Sequence, residues 1–447
     1  MKKNSLSIIT SMFLSIVVFT ANAQKPVAIN LETVLRLGGA NNLTIKEYKQ
    51  RQELAAANLT QSKEWWLPDL YAGIQSHRLE GAVMNGNGNF FLDVSRDNLW
   101  MGLGLNATWD FADGIYKVKA ERLNAWAAEF QTQSKRNHAL LEIIESYFDF
   151  LSAQLSAEAY QQLASQADTI ARQIEIQVQA GLRYQSELLL SKSNLNHLKV
   201  EMLNAMAGYH RQSARLVNLL NLDPAIKLVS IDSIMGPLSL ISADEEDIRF
   251  DSTYRKHPEI QEMHFRSKAL KTERNVTTTG LLIPELRIGT YGSYFGGLNG
   301  PVTPMVPAEY PETKRLYSTN EVNVSLMWQI PLGRIFYAGD LKKYDAQLRI
   351  QQVQAEQVKA QVNNEIITSL EQLKVAKIQM ELALEGSNLA EEALSQSVQR
   401  QLLGTVRPFE ILQAQEVYIK SRLNYLNAVA VYNKQQYRLF VGLGNNL

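Results

Sequence analysis

The chain has 447 residues, enough for two or more ordinary domains, with 45 basic and 45 acidic residues and no cysteine. This balance lacks the basic excess that is typical of nucleic-acid-binding proteins. The lack of cysteine excludes disulfides, thiolate metal sites, cysteine nucleophiles and a lipid anchor attached through cysteine.

Residues 1–23 have the pattern of an export signal peptide. Lys2 and Lys3 precede a mostly apolar stretch that ends in an Ala-Asn-Ala cleavage pattern, so the mature chain would begin at Gln24. A membrane anchor is the alternative, but the apolar stretch is short for one. After this segment the sequence contains no run of about 18 apolar residues, which is the length that a helix needs to cross a bilayer.

The segment 24–223 predicts a helix, two strands and a long helical hairpin. The first helix breaks at Gly38-Gly39, restarts at Asn41-Asn42 and ends before Pro68, because proline disfavours helix at the preceding residue. A glycine- and asparagine-rich loop over 81–97 separates the two strands, and strict alternation identifies the second strand. The predicted helices cover 31–64, 114–180 and 184–220, and the predicted strands cover about 69–79 and 98–111.

The two long helices carry the apolar spacing of a coiled coil. The segment 115–207 contains one glycine, Gly181, at which the two helical patterns meet. A helix over 114–180 would be about 100 Å long, and a rod of that length must pack sideways against other rods. The residues at a and d spacing are Leu140, Ile144, Tyr147, Leu151 and Leu155 on the incoming helix, and Leu188, Leu195, Leu198, Met202, Ala205, Tyr209, Leu216 and Leu219 on the outgoing helix.

The same order of elements recurs after an irregular, partly acidic linker over 224–257. Pro68 and Pro284 lie 216 residues apart, and Gly181 and Gly404 lie 223 apart, so the offset grows only where loops can absorb insertions. The chain is therefore a duplicated unit. In the second repeat, 258–447, the predicted helices cover 258–280, 338–403 and 408–440, and the predicted strands cover about 285–295 and 321–331.

Four strands per chain cannot close a barrel alone, since the smallest membrane barrels have about eight. Yet the alternating strands carry an apolar side too large to leave in water, and their length suffices to cross a bilayer when tilted. Lipid requires every backbone group to be paired, so closure needs further copies, and three copies of four strands would give about 12. The predicted lipid-facing residues are Leu99, Met101, Leu103, Leu105, Trp109, Val322, Val324, Leu326 and Trp328.

This duplicated pattern resembles the TolC-like outer membrane efflux protein family over essentially the whole mature chain. The most specific marks are the strand starts LPDL at 67–70 and IPEL at 283–286, together with the hairpin tips AGLRYQSELL and GTVRPFEIL. The ordered set of these marks carries the resemblance.

The resemblance implies an internally duplicated α+β membrane protein. Its homotrimer would form a 12-stranded transmembrane β-barrel, with four strands per subunit, continued by a long periplasmic α-helical barrel of coiled-coil-like helices. It also implies a location in the outer membrane, contact with outer-membrane lipid, and two partners, a periplasmic adaptor and an inner-membrane transporter. The expected function is export of small molecules or polypeptides to the exterior, without a cofactor or a nucleic-acid partner.

The resemblance also suggests a gate at the hairpin tips. In the family, acidic residues of the second tip ring the periplasmic entrance, and Glu410 and Gln413 occupy the matching positions. A ring of carboxylates in a narrow pore attracts cations and repels itself, and Arg407 could offset that repulsion. Glu187 is the repeat equivalent of Glu410, and an ordinary surface position is the alternative for both. The tip residues expected to dock the adaptor are Gly181, Leu182, Gly404 and Thr405.

Other functional classes find less support in the residues. The six histidines show no His-x-x-His or His-Glu-x-x-His spacing, so no metal site is expected, and no nucleophile motif indicates an enzyme. A periplasmic coiled-coil protein without a pore is the alternative, although it would not need alternating strands. Trp65 and Trp66 suggest an interfacial anchor where a strand enters the membrane, with core packing as the other interpretation.

Overall fold

A computed structural model describes residues 26–84, 87–241, 250–297, 316–403 and 407–447. Within these ranges both repeats run in the predicted order of helix, strand, strand, long helix and helix. The predicted signal peptide and Gln24 lie outside the described residues.

The first repeat begins with a short strand that the sequence did not predict. Its elements are β1 Val27–Ile29, α1 Leu31–Asn41, α2 Leu43–Ser62, a 3₁₀ turn Lys63–Trp66, β2 Asp69–Met84, β3 Phe90–Asp110, a π-helical turn Asp113–Lys117, α3 Val118–Gln179 and α4 Gln185–Leu219. With 62 residues, α3 is about 90 Å long.

The second repeat follows two elements that lie inside the predicted linker, β4 Leu228–Ser230 and α5 Phe250–Lys256. Strand β4 pairs in parallel with β1, so the linker returns to the start of the chain. The remaining elements are α6 Pro258–Arg274, 3₁₀ turns at Asn275–Thr277 and Thr279–Leu282, β5 Glu285–Gly297, β6 Leu316–Met327, α7 Leu332–Tyr337, α8 Gly339–Leu402 and α9 Pro408–Gly442.

The predicted helix break at Gly38-Gly39 is wrong, because both glycines lie inside α1. A side chain at Gly38 would come within 2.7 Å of the Cδ1 atom of Ile143, so glycine there allows α1 to approach α3 closely. The predicted restart at Asn41-Asn42 is confirmed, because the side chain of Asn42 accepts a hydrogen bond from the backbone N–H of Ile45 and caps α2.

The predicted loop over 81–97 is also too long. Strand β2 continues to Met84 and β3 starts at Phe90, with the register shifted between Gly81 and Val83. The strands of this hairpin therefore extend into most of the predicted loop, with a bulge near Gly81. In the second repeat the strand ends at Met327 and not at 331, because Met327 pairs with Glu285, where β5 begins.

The long strands form one antiparallel sheet in the order β2-β3-β5-β6. The helices form the rest of the molecule, with α3 packed on α4 and α8 packed on α9. In the described ranges, no helix combines the length and apolarity that crossing a membrane requires.

The predicted coiled-coil seam is confirmed by burial. All five seam residues of α3, from Leu140 to Leu155, are buried. On α4 four of the eight are buried and four are half-buried: Leu188, Leu195, Leu198 and Leu216 are buried, and Met202, Ala205, Tyr209 and Leu219 are half-buried. Helix α9 joins this core through Ile411, Ile419 and Val429, among others. The two hairpins therefore share several separate apolar clusters along their length.

Candidate channel wall and periplasmic gate

The predicted lipid-facing residues lie on one face of the sheet. Directly opposed residues of antiparallel strands share a face, and Leu105 opposes Leu70 on one side and Thr290 on the other. Val322 opposes Thr290, so the same face continues to the last strand. Leu103, Leu105, Val322, Val324 and Leu326 are exposed on this face, whereas Leu99, Met101 and Trp109 are half-buried.

Two of the nine predicted residues have different surroundings. Trp109 donates a hydrogen bond from Nε1 to the carbonyl of Trp66 at 2.6 Å, which ties β3 to the 3₁₀ turn before β2. Trp328 is exposed but lies just beyond the end of β6. Both tryptophans therefore mark the helical end of the sheet, where aromatic side chains suit a membrane interface.

The other face of the sheet packs aromatic rings over glycines. The ring of Tyr71 occupies the space beside Gly104, and the ring of Trp100 lies over Gly73. Trp100 also meets Tyr291 edge to face, with ring centroids 5.9 Å apart. The glycines of the alternating strand are thus needed for close packing on this side of the sheet.

A charged group ends the apolar face at the end of the sheet far from the helices. Arg78 contacts Glu80 at 2.6 Å and Asp97 at 4.0 Å. Asp97 lies on the same face as Leu99, two residues along β3, because the side-chain period of a strand is two. The apolar band therefore has a charged border on one side and tryptophans on the other.

Both outer strands of the sheet keep an open edge in the described chain. Strand β2 pairs with β3 and strand β6 pairs with β5, and neither has a second partner within the described residues. An open, long and apolar edge of this kind is a site for pairing with another chain.

Gly181 makes the turn of the first hairpin. Its φ of 74° lies in the left-handed region that favours glycine. The N–H of Leu182 donates to the carbonyl of Gln177 at 2.9 Å, and the N–H of Gly181 donates to that of Val178 at 3.0 Å. These two bonds form a Schellman motif that ends α3 and leaves the Leu182 side chain 76% exposed at the tip.

Arg183 connects the two hairpins at this tip, and sequence reasoning missed it. Its guanidinium donates to the side-chain oxygens of Gln177 at 2.6 Å and of Gln401, on α8, at 3.2 Å. It also contacts Glu187 at 3.6 Å and is only 11% exposed. The signal was an arginine two residues after the turn glycine, followed four residues later by an acid.

The second tip holds the predicted gate residues in a more open setting. Glu410 contacts Arg400 at 3.8 Å, and about half of each side chain is exposed. Arg407, the predicted partner of Glu410, caps α9, and its carbonyl accepts from the N–H of Glu410. Gln413 is exposed on the same helix. Gly404 and Thr405 lie outside the described residues.

Trp65 and Trp66, predicted together as an anchor, have different roles. The ring of Trp65 packs against Gly114 and meets Phe111 edge to face at 5.7 Å. Trp66 is 54% exposed. Core packing therefore describes Trp65, and Trp66 alone is exposed enough to act as an anchor.

Titratable side chains do not assemble into a metal centre in the ranges that the structure covers. Nowhere among those residues do three or more His, Asp or Glu side chains gather as metal ligands would. The candidate functional features of the described residues are the apolar sheet face, its two edges and the hairpin tips.

The family described as outer membrane efflux protein matches residues 35–222. No curated protein matches the chain.

Solved channels share the fold over most of this chain. The Campylobacter jejuni CmeC outer membrane channel has a TM-score of 0.71 and 16% identity, covering 93% of this chain and 85% of that chain. The Vibrio cholerae outer membrane protein VceC has a TM-score of 0.69 and 15% identity, covering 93% and 96%. The open state of the Neisseria gonorrhoeae MtrE outer membrane channel has a TM-score of 0.69 and 14% identity, covering 93% and 89%.

Proposed function

Because the chain resembles the outer membrane efflux proteins, in the sequence of its first repeat and in its fold, we propose that it is an export channel. The match of the outer membrane efflux protein family to residues 35–222 supports a location in the outer membrane, with helices extending into the periplasm. In this proposal the channel carries small molecules or polypeptides from the periplasm, or from an inner-membrane pump, to the exterior.

The single observation that carries the proposal is the sheet with one apolar face and two open edges. In water the exposed side chains of that face would be unfavourable, and the edges would invite aggregation. In lipid the same face is favourable, but then the edges must be paired, so β2 of one copy would pair with β6 of the next. Three copies of the four strands would close a barrel of about 12 strands.

The outer surface of α8 supports this assembly. Several large apolar side chains of α8 are exposed and follow one another at spacings of three, four or seven residues, which is the pattern of a second coiled-coil seam. A further copy of the chain would cover them and extend the helices into a closed tube. They are Val375, Ile378, Leu382 and Leu389.

The tips fit the docking of a periplasmic adaptor and a gate. Leu182 and Tyr184 are exposed apolar or aromatic side chains beside the turn at Gly181, and a partner surface could cover them. A ring of three Glu410 carboxylates, with Gln413 and Arg407 close in sequence, would favour cations at the entrance. An inner-membrane transporter would then deliver the cargo to this entrance.

Two neighbouring residues of β6 provide the test. Val324, 66% exposed, lies on the apolar face, and Asn323 lies on the opposite face of the same strand. In lipid, Val324→Arg should cost more than about 1 kcal/mol, between the value near an interface and the roughly 2–4 kcal/mol at mid-membrane, and should deplete heat-sensitive, SDS-resistant trimers in the outer-membrane fraction. Asn323→Arg should preserve the trimers and, in planar bilayers, the ion-conducting channel.

The alternative, a periplasmic coiled-coil protein without a pore, predicts a different result. Both arginine variants would then behave like wild type, osmotic shock would release the protein, and planar bilayers would show no conductance.

A further inference from the structure

A cavity of about 240 Å³ lies where α3, α6, α8 and α9 meet, away from the sheet and the tips. Its lining includes His138 of α3, His257 at the start of α6, Glu365 of α8 and Arg438 of α9. Each of these four helices therefore contributes one titratable side chain to a small partly enclosed space.

His257 is the residue that joins α5 to α6. Its backbone N–H donates to the carbonyl of Thr253 at 2.8 Å, and its own carbonyl accepts from the N–H of Gln261 at 3.1 Å. The side chain is only 6% exposed, and its buried Nδ1 atom has no hydrogen-bond partner among the described residues. A buried imidazole with an unpaired nitrogen is unusual and needs an explanation.

The backbone of His257 is also held from outside the junction. A side chain at Gly444, whose φ is +80°, would come within 3.0 Å of the Cα atom of His257. The segment after α9 therefore packs directly against the α5–α6 junction. Little space is left for the junction to shift while α6 remains docked.

The acids near His257 are already engaged by other groups. Glu259 accepts hydrogen bonds from Ser134 at 2.9 Å and contacts His138 at 3.0 Å, which ties the first turn of α6 to α3. Arg438, across the cavity, pairs with Glu145. Glu365 accepts a hydrogen bond from Gln361 at 3.1 Å.

We propose that His257 is a proton-sensitive joint, at which uptake of a proton by the imidazole releases the α5–α6 junction from α3 and α8. The added charge would sit in a buried place beside a second imidazole, His138, and near the guanidinium of Arg438. The carboxylates of Glu259 and Glu365 attract the new charge, but Glu259 already accepts from Ser134 and contacts His138, and burial of the charge outweighs this attraction. Release of the junction restores water to the ring.

The direction of the pH dependence follows from the same surroundings. Burial lowers the pKa of His257 below its ordinary value of 6.5, His138 lowers it further, and Glu259 and Glu365 oppose the change. The released state therefore binds the proton more readily than the docked state. Docking is fully stabilised above pH 6.5 and is weakened as the pH falls from 6.5 through the lower pKa of the docked state.

Glu259 acts in a separate and more acidic range. The hydrogen bond with His138, helped by Ser134, lowers the pKa of Glu259 from 4.5 to about 2 against the opposing effect of burial. The stability that this carboxylate contributes is present above pH 4.5 and is lost only toward pH 2. A loss of docking between pH 6.5 and 5 would therefore belong to His257 and not to Glu259.

Amide hydrogen exchange on the purified full-length protein tests the joint. Exchange of residues 253–261, corrected for the intrinsic pH dependence of the chemistry, should speed up as the pH falls from 7.5 to 5. The limit for one proton is about tenfold per pH unit. His257→Gln should remove this slope, whereas His197→Gln, at an exposed position of α4, should keep it.

Two results would overturn the proposal: a corrected exchange rate that does not change with pH in the wild type, or a slope that persists in His257→Gln. If His257→Gln does not fold, histidine-labelled protein carrying His264→Gln can be titrated by NMR. A histidine ring whose titration midpoint coincides with the pH at which amide protection is lost supports the proposal. The absence of such a ring refutes it. None of these readouts measures transport, so the proposed channel function and the joint can fail separately.

Discussion

The two hairpin tips occupy equivalent places in the repeat but hold their acidic residues differently. At the first tip, Glu187 is 22% exposed and contacts a guanidinium, that of Arg183, which is itself nearly buried. At the second tip, Glu410 is 50% exposed and its partner Arg400 is 58% exposed. One duplicated position has therefore become part of a packed connection, and the other has stayed at the surface.

This difference suggests separate roles for the two tips, one in holding the hairpins together and one in gating. A buried cation that bonds side chains of both hairpins keeps them in register, and removing it leaves polar groups without partners. An exposed ion pair contributes little to stability because water screens it, so its residues can change function without changing the fold. We therefore expect the first tip to govern rigidity and the second to govern ion preference.

The largest effect should follow from Arg183→Ala. Gln401 is almost fully buried, its Nε2 atom has no partner among the described residues, and the variant would also remove the Arg183 donor from its Oε1 atom. Hydrogen bonds to a charged group are worth roughly 1.5–3 kcal/mol, so the free energy of local opening of the tip should fall by about that amount. Amide exchange across 177–187 measures the opening.

Arg172→Ala is the matched control for this prediction. Arg172 is 76% exposed and pairs with Asp168 one turn away on α3, so its removal should cost less than about 0.5 kcal/mol. Equal effects of the two variants would mean that the buried connection does not hold the tip.

An intermediate effect is expected at the turn glycine of the first hairpin. Gly181→Ala places a Cβ atom on a backbone with φ of 74°, although no atom lies nearby to clash with it. The strain should destabilise the hairpin by about 1–2 kcal/mol. Gly208→Ala, in the middle of α4 with similar open space, should instead stabilise the protein by about 0.5–1 kcal/mol.

Opposite signs of these two changes in thermal unfolding would support the turn geometry. If Gly181→Ala stabilised the protein as Gly208→Ala does, the left-handed turn would be refuted.

The smallest change in stability is expected for Glu410→Gln. Loss of its exposed pair should alter the free energy of unfolding by less than about 1 kcal/mol. In planar bilayers, however, the cation preference or conductance of the channel should change, since a ring of carboxylates would become neutral. Glu187→Gln should show the reverse, a weaker tip with the ion preference of wild type. Unchanged conductance and selectivity in Glu410→Gln would remove Glu410 from the gate.

Sequence patterns predicted the helices and strands well where a single period of apolar residues, helical or alternating, dominates. The seam from Leu140 to Leu155 has helical spacing without proline, and the residues after Asn98 alternate strictly, so both were assigned correctly. Gly38-Gly39 was misassigned as a helix break, and the loop over 81–97 was predicted too long. Glycine indicates either a break or a close contact, and only the neighbouring chain, here Ile143 for Gly38, distinguishes the two.

The amino-acid sequence by itself determined the duplication, the long rods and the apolar face of the strands, because each depends on spacing along the chain. Only the tertiary structure decided which side chains meet across hundreds of residues, such as Arg183 with Gln401 or Glu259 with His138. Those contacts depend on the relative rotation and height of separate helices. A period of 3.6 residues defines one face of a helix but leaves open which turn of another helix lies against it.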